Sequence, residues 1–371
     1  MTKIIIVGPA SPLRGGISDF NEALAKSFYE KNIKIEIVSF SLQYPKFLFP
    51  GKTQNRTTNS QTFPFKIIPL INSINPLSWW KTAKYILSEN PDIVMIRFWM
   101  PFFAPCLGII SSIIKKNNIQ VIGIVDNAIA HEKRAGDNSL VNFFLKKCHH
   151  HITLSKKVKN DIKTINRNIS VRALFHPIYN NYKPLTDKNS ALKKLHLSDG
   201  KYILFFGLVR KYKGLDLLIR AMADEKIISQ NIKLIVAGEF YESEDVYNKL
   251  INDLNLKNII IFNEFVAHDK VPDYFSICNL VILPYKSATQ SGVTQLAMNY
   301  NKPMLVTNVG GLPEIIDHHK DGYVSTTEPK EISKHILDYF SDENNEIKMS
   351  DALSKKKKFY SWDHFTDEIL K

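Results

Sequence analysis

Short, unbroken runs of Ile, Val, Leu and other apolar residues recur along the chain and constrain its fold more than any other feature. Most runs end at a loop, after which apolar residues return at helical spacing. Strands that are apolar on both faces are typical of parallel sheets covered by helices on both sides. We therefore predict an α/β protein. The clearest runs are Lys3–Val7, Gln120–Val125, Tyr202–Phe206, Leu280–Leu283 and Met304–Thr307.

The alternation of strand and helix indicates two domains. A chain of 371 residues exceeds what one hydrophobic core usually serves. The alternation pauses at residues 176–197, which are polar, contain prolines and lack a strand pattern, so we interpret them as a linker. We expect domains of residues 1–180 and 181–358. Residues 359–371 are expected to form a C-terminal helix that packs back on the first domain.

The cysteines and the N-terminus indicate the compartment. Cys106, Cys148 and Cys278 are scattered, which fits a reducing compartment better than a disulfide framework. The first residues, MTKIIIVGPAS, hold one lysine and a short apolar run, so we expect a first strand and not a signal peptide. The best candidate for a membrane span, residues 98–114, contains two prolines and is short for that purpose. We predict a loop and a core helix there.

The positive charge is concentrated in the first half of the chain. Residues 1–180 hold 24 Lys and Arg against 10 Asp and Glu, a net charge of +14. The remaining 191 residues hold 25 against 26, a net charge of −1. This asymmetry is typical of a protein whose N-terminal half faces an anionic surface, although lysines that only keep a surface solvated would produce the same count.

Two loops have the form of an anion site, in which a strand leads into the N-terminus of a helix. In the first, Arg14, Gly15 and Gly16 follow the strand Lys3–Val7 and precede residues with helical spacing. This loop lacks the full G-x-G-x-x-G pattern, and the chain contains no G-x-x-x-x-G-K-[ST] motif, so neither a dinucleotide nor a P-loop site is indicated.

The second loop follows the strand Leu280–Leu283 and contains Ser291, Gly292 and Val293. A helix is predicted over Val293–Tyr300. The backbone N–H groups and the positive dipole end of such a helix suit a phosphate.

Two polar residues follow the strand Gln120–Val125. In an open α/β sheet, ligands gather at the carboxyl ends of the strands. Asp126 and His131 are therefore candidates for contact with a reacting group. A loop histidine that simply lies on the surface is the alternative interpretation of His131.

Four stretches of the second half resemble the donor-binding half of the family-four retaining glycosyltransferases, also called glycosyl transferases group 1. Their order and spacing cover nearly all of residues 200–325, and the first half is similar more loosely. The resemblance implies the GT-B arrangement, with two Rossmann-like domains facing across a cleft. The four stretches are FGLVRKYKGLDLLIRA, LIVAGEF, FVAHDKVPDYFSICNLVILPY and SGVTQLAMNYNKPMLVTNVGGLPEII.

The resemblance also implies how the substrates are divided. The C-terminal domain would hold a nucleotide-sugar donor, and the N-terminal domain would meet the acceptor. No metal and no other cofactor is expected, in keeping with the absence of an Asp-x-Asp motif from the sequence.

Individual residues can be assigned roles by the resemblance. Arg210 and Lys213 match the pair that holds the donor diphosphate, where they would neutralise the charge of the leaving group as both binding and catalytic residues. Gly15 and Gly16 match the loop that approaches the donor phosphates, where a side chain would block close approach. Glu239 is expected to point toward the substrate.

The chain departs from the family pattern at a pair of glutamates that bind sugar and ribose hydroxyls in relatives. Ala288 and Leu296 stand at those positions. We expect the amides of the Ser291 loop still to bind phosphate, and Gln290 or Gln295 to reach hydroxyl groups.

A second departure concerns the histidine that contacts the donor sugar in many relatives. Asp126 stands in its place, and His131 lies five residues further on. Both are retained as catalytic candidates.

Three functions are compatible with these features. The first is a retaining glycosyltransferase of the hexosyltransferase type that transfers a sugar from a nucleotide sugar to a glycan, most simply a lipid-linked precursor of a bacterial surface polysaccharide. The second is a non-catalytic protein that binds an anion or nucleotide on the same scaffold, which the missing glutamates favour. The third is a nucleotide-sugar epimerase. Nucleic-acid binding is not expected, because the basic residues show no recognition motif interleaved with aromatic residues.

The basic half predicts the location of the enzyme. We expect a cytoplasmic protein that is peripheral on the inner face of the plasma membrane, held by an anionic lipid surface. The lysines expected to make this contact are Lys146, Lys147, Lys156, Lys157, Lys159 and Lys163.

Overall fold

The chain divides into two units, each built around one parallel sheet. In this computed structural model, residues 2–45, 53–56, 62–129, 134–179 and 182–371 are described. Unit 1 comprises Met1–His176 together with Trp362–Lys371, and unit 2 comprises Pro177–Ser361. The sequence had placed the two boundaries after residues 180 and 358, within a few residues of these divisions.

Unit 1 contains a seven-stranded sheet in the order β3-β2-β1-β4-β5-β6-β7, in which every paired strand is parallel. Its strands are β1 Lys3–Val7, β2 Lys34–Leu42, β3 Lys66–Asn72, β4 Ile93–Phe98, β5 Gln120–Val125, β6 His150–Thr153 and β7 Val171–Ala173. Its helices are α1 Gly16–Glu30, α2 Pro76–Ser88, α3 Ala104–Lys115, α4 Asp137–Leu145, α5 Lys156–Ile165 and α14 Trp362–Leu370.

Both faces of this sheet are buried, as the unbroken apolar runs predicted. Alternate residues of β1 enter different cores, because successive side chains of a strand point to opposite faces. Ile5 and Val7 pack in the core beneath α2, α3, α4 and α5. Ile4 and Ile6 pack in the core beneath α1 and α14.

The last helix, α14, completes the second of these cores. Its residues Trp362, Phe365 and Ile369 are buried. The ring of Phe20 on α1 meets Trp362 edge-on at a centroid distance of 4.9 Å and Phe365 at 5.9 Å. On the outer side, Lys31 forms ion pairs with two aspartates of α14. The C-terminal helix thus belongs to the unit that contains the N-terminus.

Unit 2 contains a six-stranded parallel sheet in the order β10-β9-β8-β11-β12-β13. Its strands are β8 Lys201–Phe206, β9 Ile232–Ala237, β10 Ile259–Phe262, β11 Leu280–Leu283, β12 Met304–Thr307 and β13 Gly322–Ser325. Its helices are α6 Lys188–Lys194, α7 Leu215–Ala221, α8 Glu225–Ser229, α9 Asp245–Asp253, α10 Val271–Ile277, α11 Gly292–Asn299, α12 Pro329–Phe340 and α13 Asn345–Lys356. The α/β class and the two parallel sheets predicted from the sequence are confirmed.

Two local expectations need comment. The segment interpreted as a linker contains the short helix α6, whose Ala191 and Leu192 are buried, so it is not wholly irregular. The candidate membrane span consists of the end of β4, a 3₁₀ turn at Pro101–Phe103 and α3, which is 12 residues long. Within the ranges that the structure covers, every helix is too short or too polar to cross a bilayer.

Candidate functional site

The loop after β8 brings the two expected diphosphate ligands of unit 2 together. Arg210 precedes a single 3₁₀ turn, Lys211–Lys213, and the side chains of Arg210 and Lys213 are both half-buried. The guanidinium carbon of Arg210 lies 4.8 Å from the ring centroid of Tyr241, and Lys213 Nζ lies 5.6 Å from that of Tyr285. Each cation is therefore positioned by an aromatic face.

Burial lowers the pKa of Lys213 to about 8, and the positive charge of Arg210 lowers it further in the same direction. A desolvated ammonium beside a second cation is an unfavourable arrangement unless an anion joins it. The electrostatics of this loop therefore suit a phosphate or diphosphate.

The start of α11 lies beside the same loop. A Cβ atom placed on Gly207, at the end of β8, would lie 3.6 Å from both Lys213 Nζ and Val293 Cγ2. Since Val293 is in the first turn of α11, the cationic loop and the helix N-terminus converge on Gly207. The two elements that the sequence singled out separately thus lie side by side in the structure.

Ser291 caps α11, and this cap engages one of the backbone N–H groups that were expected to bind an anion. Its Oγ accepts a hydrogen bond from Val293 N at 3.2 Å and lies 3.2 Å from the hydroxyl of Tyr285. The amide of Val293 is therefore occupied by the cap in this structure, and Gly292 is the first residue of the helix. The role of Ser291, Gly292 and Val293 in phosphate binding stays a prediction.

Glu239 lies at the carboxyl end of β9, beside Gly207. A Cβ on the preceding Gly238 would lie only 2.1 Å from the carbonyl oxygen of Gly207, so this close approach of two backbones requires glycine. Glu239 Oε2 is buried and, among the residues described, has no hydrogen-bond partner. A buried acceptor of this kind is costly unless a ligand donates to it, for which a sugar hydroxyl is suited.

The positions of the two missing glutamates are apolar in structure as well as in sequence, since Ala288 and Leu296 both lie in a core of unit 2. Gln295 is buried, and its Oε1 accepts no hydrogen bond from any residue in the described ranges. Gln290 is half-buried in the loop that precedes Ser291. Gln295 thus has the kind of buried acceptor that hydroxyl recognition needs.

In unit 1, the glycine loop is held in place by the segment 53–56. Arg14 N donates to the carbonyl of Gln54 and Arg56 N to that of Pro12, each at 2.9 Å. Gly15 has φ of +119°, which favours glycine, and a Cβ there would meet no protein atom within 4 Å. The protein itself therefore leaves space at Gly15, and Gly16 starts α1.

Behind this loop lies an ionic cluster that the sequence patterns did not reveal. Arg56 Nη2 donates to Asp19 Oδ1 at 2.7 Å and to Glu22 Oε2 at 2.9 Å. Burial raises the pKa of Asp19 to about 6, opposed by the charge of Arg56 and supported by that of Glu22. The only sequence signal would have been two carboxylates one turn apart on α1.

Asp126 has a different environment from the one expected beside a sugar. Arg97 Nε donates to its Oδ2 at 2.7 Å and Arg97 Nη2 to its Oδ1 at 2.5 Å, so both carboxylate oxygens serve a bidentate ion pair. Both side chains are almost fully buried, and the guanidinium carbon lies 3.8 Å from the ring centroid of Phe20. This geometry favours a positioning role for Asp126, and the catalytic role stays a prediction.

Arg97 itself was not among the expected site residues. It is the one charged residue in the apolar strand β4, which is the signal that could have identified it. Its Nη1 is buried and, as far as the described ranges extend, has no partner. His131, the second catalytic candidate of this edge, lies outside the described residues.

Comparison with known proteins identifies a family that part of this chain resembles. Residues 187–358 match the family described as glycosyl transferases group 1. An uncharacterized glycosyltransferase of Methanocaldococcus jannaschii is 31% identical over 175 residues, which are 46% of this chain and 44% of that protein. The chain spans about half the length of the curated relatives it matches.

Solved structures resemble the whole chain in fold. Anabaena HepE, solved in complex with UDP and glucose, has a TM-score of 0.74 at 16% identity and covers 99% of this chain and 98% of its own. A protein of Listeria monocytogenes described as a UDP-N-acetylglucosamine 2-epimerase has a TM-score of 0.63 at 14% identity, with 99% and 94% covered. At these identities the likeness establishes the GT-B type of fold and no activity. Residues 187–358, which are less than half of the chain, are thus similar to the glycosyl transferases group 1 family.

Proposed function

We propose that the protein is a retaining glycosyltransferase that takes a sugar from a nucleotide-sugar donor bound to unit 2. One observation carries the proposal: Lys213 and the N-terminus of α11 converge on Gly207, and Arg210 lies close enough to lower the pKa of Lys213, within the part of the chain that matches the family. Two cations beside a helix N-terminus form a site for a diphosphate. The structures of Anabaena HepE with UDP, and with UDP and glucose, support the class of donor.

The reaction follows from where the charge develops. The bond between the anomeric carbon and the diphosphate breaks, and the acceptor oxygen forms a bond to that carbon on the same face. The acceptor proton passes to the departing diphosphate. Arg210 and Lys213 stabilise the negative charge on the leaving group, as a divalent cation would, so we propose that no metal is required.

Glu239 and Gln295 are the residues proposed to recognise hydroxyl groups of the sugar or the ribose. Each has a buried side-chain oxygen without a hydrogen-bond partner among the described residues. A substrate hydroxyl that donates to either oxygen satisfies it, whereas a deoxy analogue leaves it unpaired. These two side chains take over the role of the glutamates that Ala288 and Leu296 replace.

We also propose a lipid-linked acceptor and a peripheral position on the inner face of the plasma membrane. The support is the net charge of +14 in residues 1–180, since basic surfaces bind anionic lipid. Bacterial surface polysaccharide is the product class in this proposal.

The proposal is tested first by donor binding. A panel of nucleotide sugars is titrated into the protein by calorimetry with and without EDTA. The bound donor is then incubated with lipid extracts, and products are identified by mass spectrometry. The anomeric configuration of the product is read by NMR coupling constants. Retention and insensitivity to chelator are expected. Inversion, or activity that disappears with EDTA and returns with magnesium, contradicts the mechanism.

The alternatives are a binding protein and an epimerase, and the replacement of both glutamates by Ala288 and Leu296 favours the former. A binding protein holds UDP or another nucleotide but never turns over a bound donor. An epimerase changes the configuration of the sugar without an acceptor, which NMR of the free nucleotide sugar detects. Either outcome replaces the transferase proposal and leaves the phosphate site in place.

A further inference from the structure

The outward face of α2 in unit 1 exposes large apolar side chains. The exposed fraction is 71% for Leu77 and 49% for Trp80, and Ile74 in the turn before the helix is 53% exposed. Leu77, Trp80, Lys81 and Lys84 recur at spacings of three and four residues and therefore share one face of the helix. Single exposed apolar residues are ordinary, whereas several large ones in a row require an explanation.

Lysines continue this row of exposed side chains. We call Ile74, Leu77, Trp80, Lys81 and Lys84 together the stripe. Lys81 and Lys84 are exposed, and Lys84 Nζ lies 3.8 Å from the ring centroid of Trp80. The 13 residues of α2 include no Asp or Glu. The stripe is thus apolar toward the start of the helix and purely basic beyond it.

The neighbouring helices extend the same surface. α3 packs against α2, and α4 packs against α3. Ile109 on α3 and Phe143 on α4 are both exposed, and the ring of Phe143 lies on Gly108, where a Cβ would be 2.5 Å from it. Lys147 Nζ is 5.2 Å from the centroid of Phe143. Exposed apolar side chains therefore recur across three helices of one layer, and lysines lie beside those of α2 and α4.

The apolar end of the stripe lies at the functional edge of the sheet. Ile74 is in the connection between β3, which ends at Asn72, and α2, which begins at Pro76. Because the strands are parallel, this is the edge at which β1 leads into the glycine loop. β3 is two strands away from β1, a separation of about 10 Å.

We propose that this stripe is a lipid-binding surface that inserts into an anionic bilayer, with Ile74, Leu77 and Trp80 among the headgroups and upper acyl chains. Lys81 and Lys84 then lie against lipid phosphates, the arrangement of an interfacial amphipathic helix. The contact brings the glycine-loop edge of unit 1 to the membrane, where a lipid-linked acceptor is found. The inference rests on the proposed function only for that last consequence.

The occupant follows from charge. The first half of the chain has a net charge of +14. Because α2 contains no acidic residue, it offers no counter-ion to a basic partner. A symmetric contact between two copies would bring the same lysines into one interface, which is unfavourable. An anionic bilayer is complementary to both parts of the stripe.

The surface differs from the lysine stretch that sequence alone suggested. In that stretch, Lys157 forms an ion pair with Asp161, and Lys163 donates to the carbonyl oxygens of Arg167 and Ile169. These two side chains are engaged with the protein. The stripe on α2 combines lysines with the exposed apolar area that insertion requires.

Trp80 makes the proposal directly measurable. Of the four tryptophans, Trp79, Trp99 and Trp362 are at most 8% exposed, so Trp80 is the one that solvent or lipid can reach. The protein is mixed with vesicles of phosphatidylcholine or of phosphatidylglycerol, each containing brominated lipid, and its fluorescence is followed. Quenching by the phosphatidylglycerol vesicles that weakens with salt is expected. Absence of quenching by either vesicle overturns the proposal.

Two pairs of variants isolate the two parts of the stripe. Leu77→Asn and the double change Lys81→Gln with Lys84→Gln are each expected to weaken vesicle partitioning by about tenfold or more. The matched controls in unit 2 are Ile347→Asn, at an apolar residue that is 64% exposed, and Lys355→Gln with Lys358→Gln. Partitioning that is unchanged in the α2 variants, or equally reduced in the controls, contradicts the inference.

Two further measurements distinguish a failure of the lipid-surface proposal from a failure of the proposed glycosyltransferase function. Sedimentation velocity tests for self-association, and a dimer that Leu77→Asn dissolves would assign the stripe to a second copy of the chain. Transfer to a soluble acceptor is measured without vesicles. Activity without vesicle binding refutes the lipid surface alone, and vesicle binding without any turnover refutes the proposed function alone.

Discussion

Lys213 and Ser291 are both in contact with the side chain of Tyr285. Its ring lies 5.6 Å beneath Lys213 Nζ, and its hydroxyl lies 3.2 Å from Ser291 Oγ, the cap of α11. The buried tyrosine thus sets the spacing between the cationic loop and the helix N-terminus, 78 residues apart in sequence from Lys213 to Ser291. Its position just after β11 and Pro284 makes it part of the rigid sheet edge rather than of a loose loop.

Removing either cation of this loop is expected to abolish transfer with little effect on folding. For Arg210→Ala or Lys213→Ala, the lost contact to the leaving diphosphate raises the barrier by roughly 2.7–4 kcal/mol, about 10²–10³ in rate. Lys211→Ala, an exposed lysine between them, is the control and keeps its rate. Steady-state kinetics with a saturating donor and a thermal melt of each variant make the measurement. Normal turnover by both alanine variants would move the donor site elsewhere.

Donor affinity is expected to fall as the pH rises through about 8. Burial and Arg210 lower the pKa of Lys213 to about 8, so the free protein loses this charge there instead of near the ordinary value of 10.5. Only the charged form attracts the diphosphate, and binding in turn raises the pKa. Calorimetry across this range, at constant ionic strength, gives the dissociation constant. In Lys213→Arg the decline should vanish, because arginine stays protonated. A wild-type affinity that is flat with pH argues against contact between Lys213 and phosphate.

Asp126→Asn is expected to destabilise unit 1 before it affects chemistry. The change leaves the buried guanidinium of Arg97 without its counter-ion, at a cost of about 3–5 kcal/mol. Replacing the pair together, Arg97→Met with Asp126→Leu, should recover much of this loss. Glu30→Gln, on the exposed surface, is the control. The midpoints of thermal and urea unfolding report the effect. An Asp126→Asn protein of normal stability but greatly reduced kcat would instead establish the catalytic role expected from the sequence.

Asp19 is expected to make unit 1 less stable as the pH rises. Its pKa is raised from 3.8 to about 6 in the folded state, so between these values the folded protein binds a proton that the unfolded chain does not. The free energy of unfolding therefore falls as pH increases from about 4 to about 6 and stays lower above. Asp19→Asn should reduce this slope, and Glu22, whose pKa is also raised by burial, accounts for part of what remains. Urea unfolding at several pH values measures it, and an equal slope in the variant would assign it to other groups.

The strands were predictable because their burial leaves a local pattern. β5, β11 and β12 have the bounds that their apolar runs indicated. β3 carries Pro69 and is half-exposed at the edge of the sheet, so it lacks such a run. α6 escaped notice because only two of its side chains are buried.

The candidate site was predictable only in part, because its decisive pairs join distant segments. Motif resemblance identified Arg210 and Lys213 by their spacing within one loop. Arg97 and Asp126 are 29 residues apart, and Arg56 meets Asp19 across 37 residues. A one-dimensional pattern shows that a strand contains a charge, but not which carboxylate will neutralise it.

The place of α14 reverses the usual order in which domains of a nascent chain are finished. Unit 2 is one continuous segment, whereas unit 1 needs its first 176 residues and its last ten. Domains generally fold during synthesis from the N-terminus onward. Here the face of α1 that carries Phe20 stays uncovered until the ribosome has released Trp362 and Phe365. The unit that begins synthesis first is completed last, so a chain truncated before Trp362 is expected to expose the apolar side of α1 to chaperones and proteases.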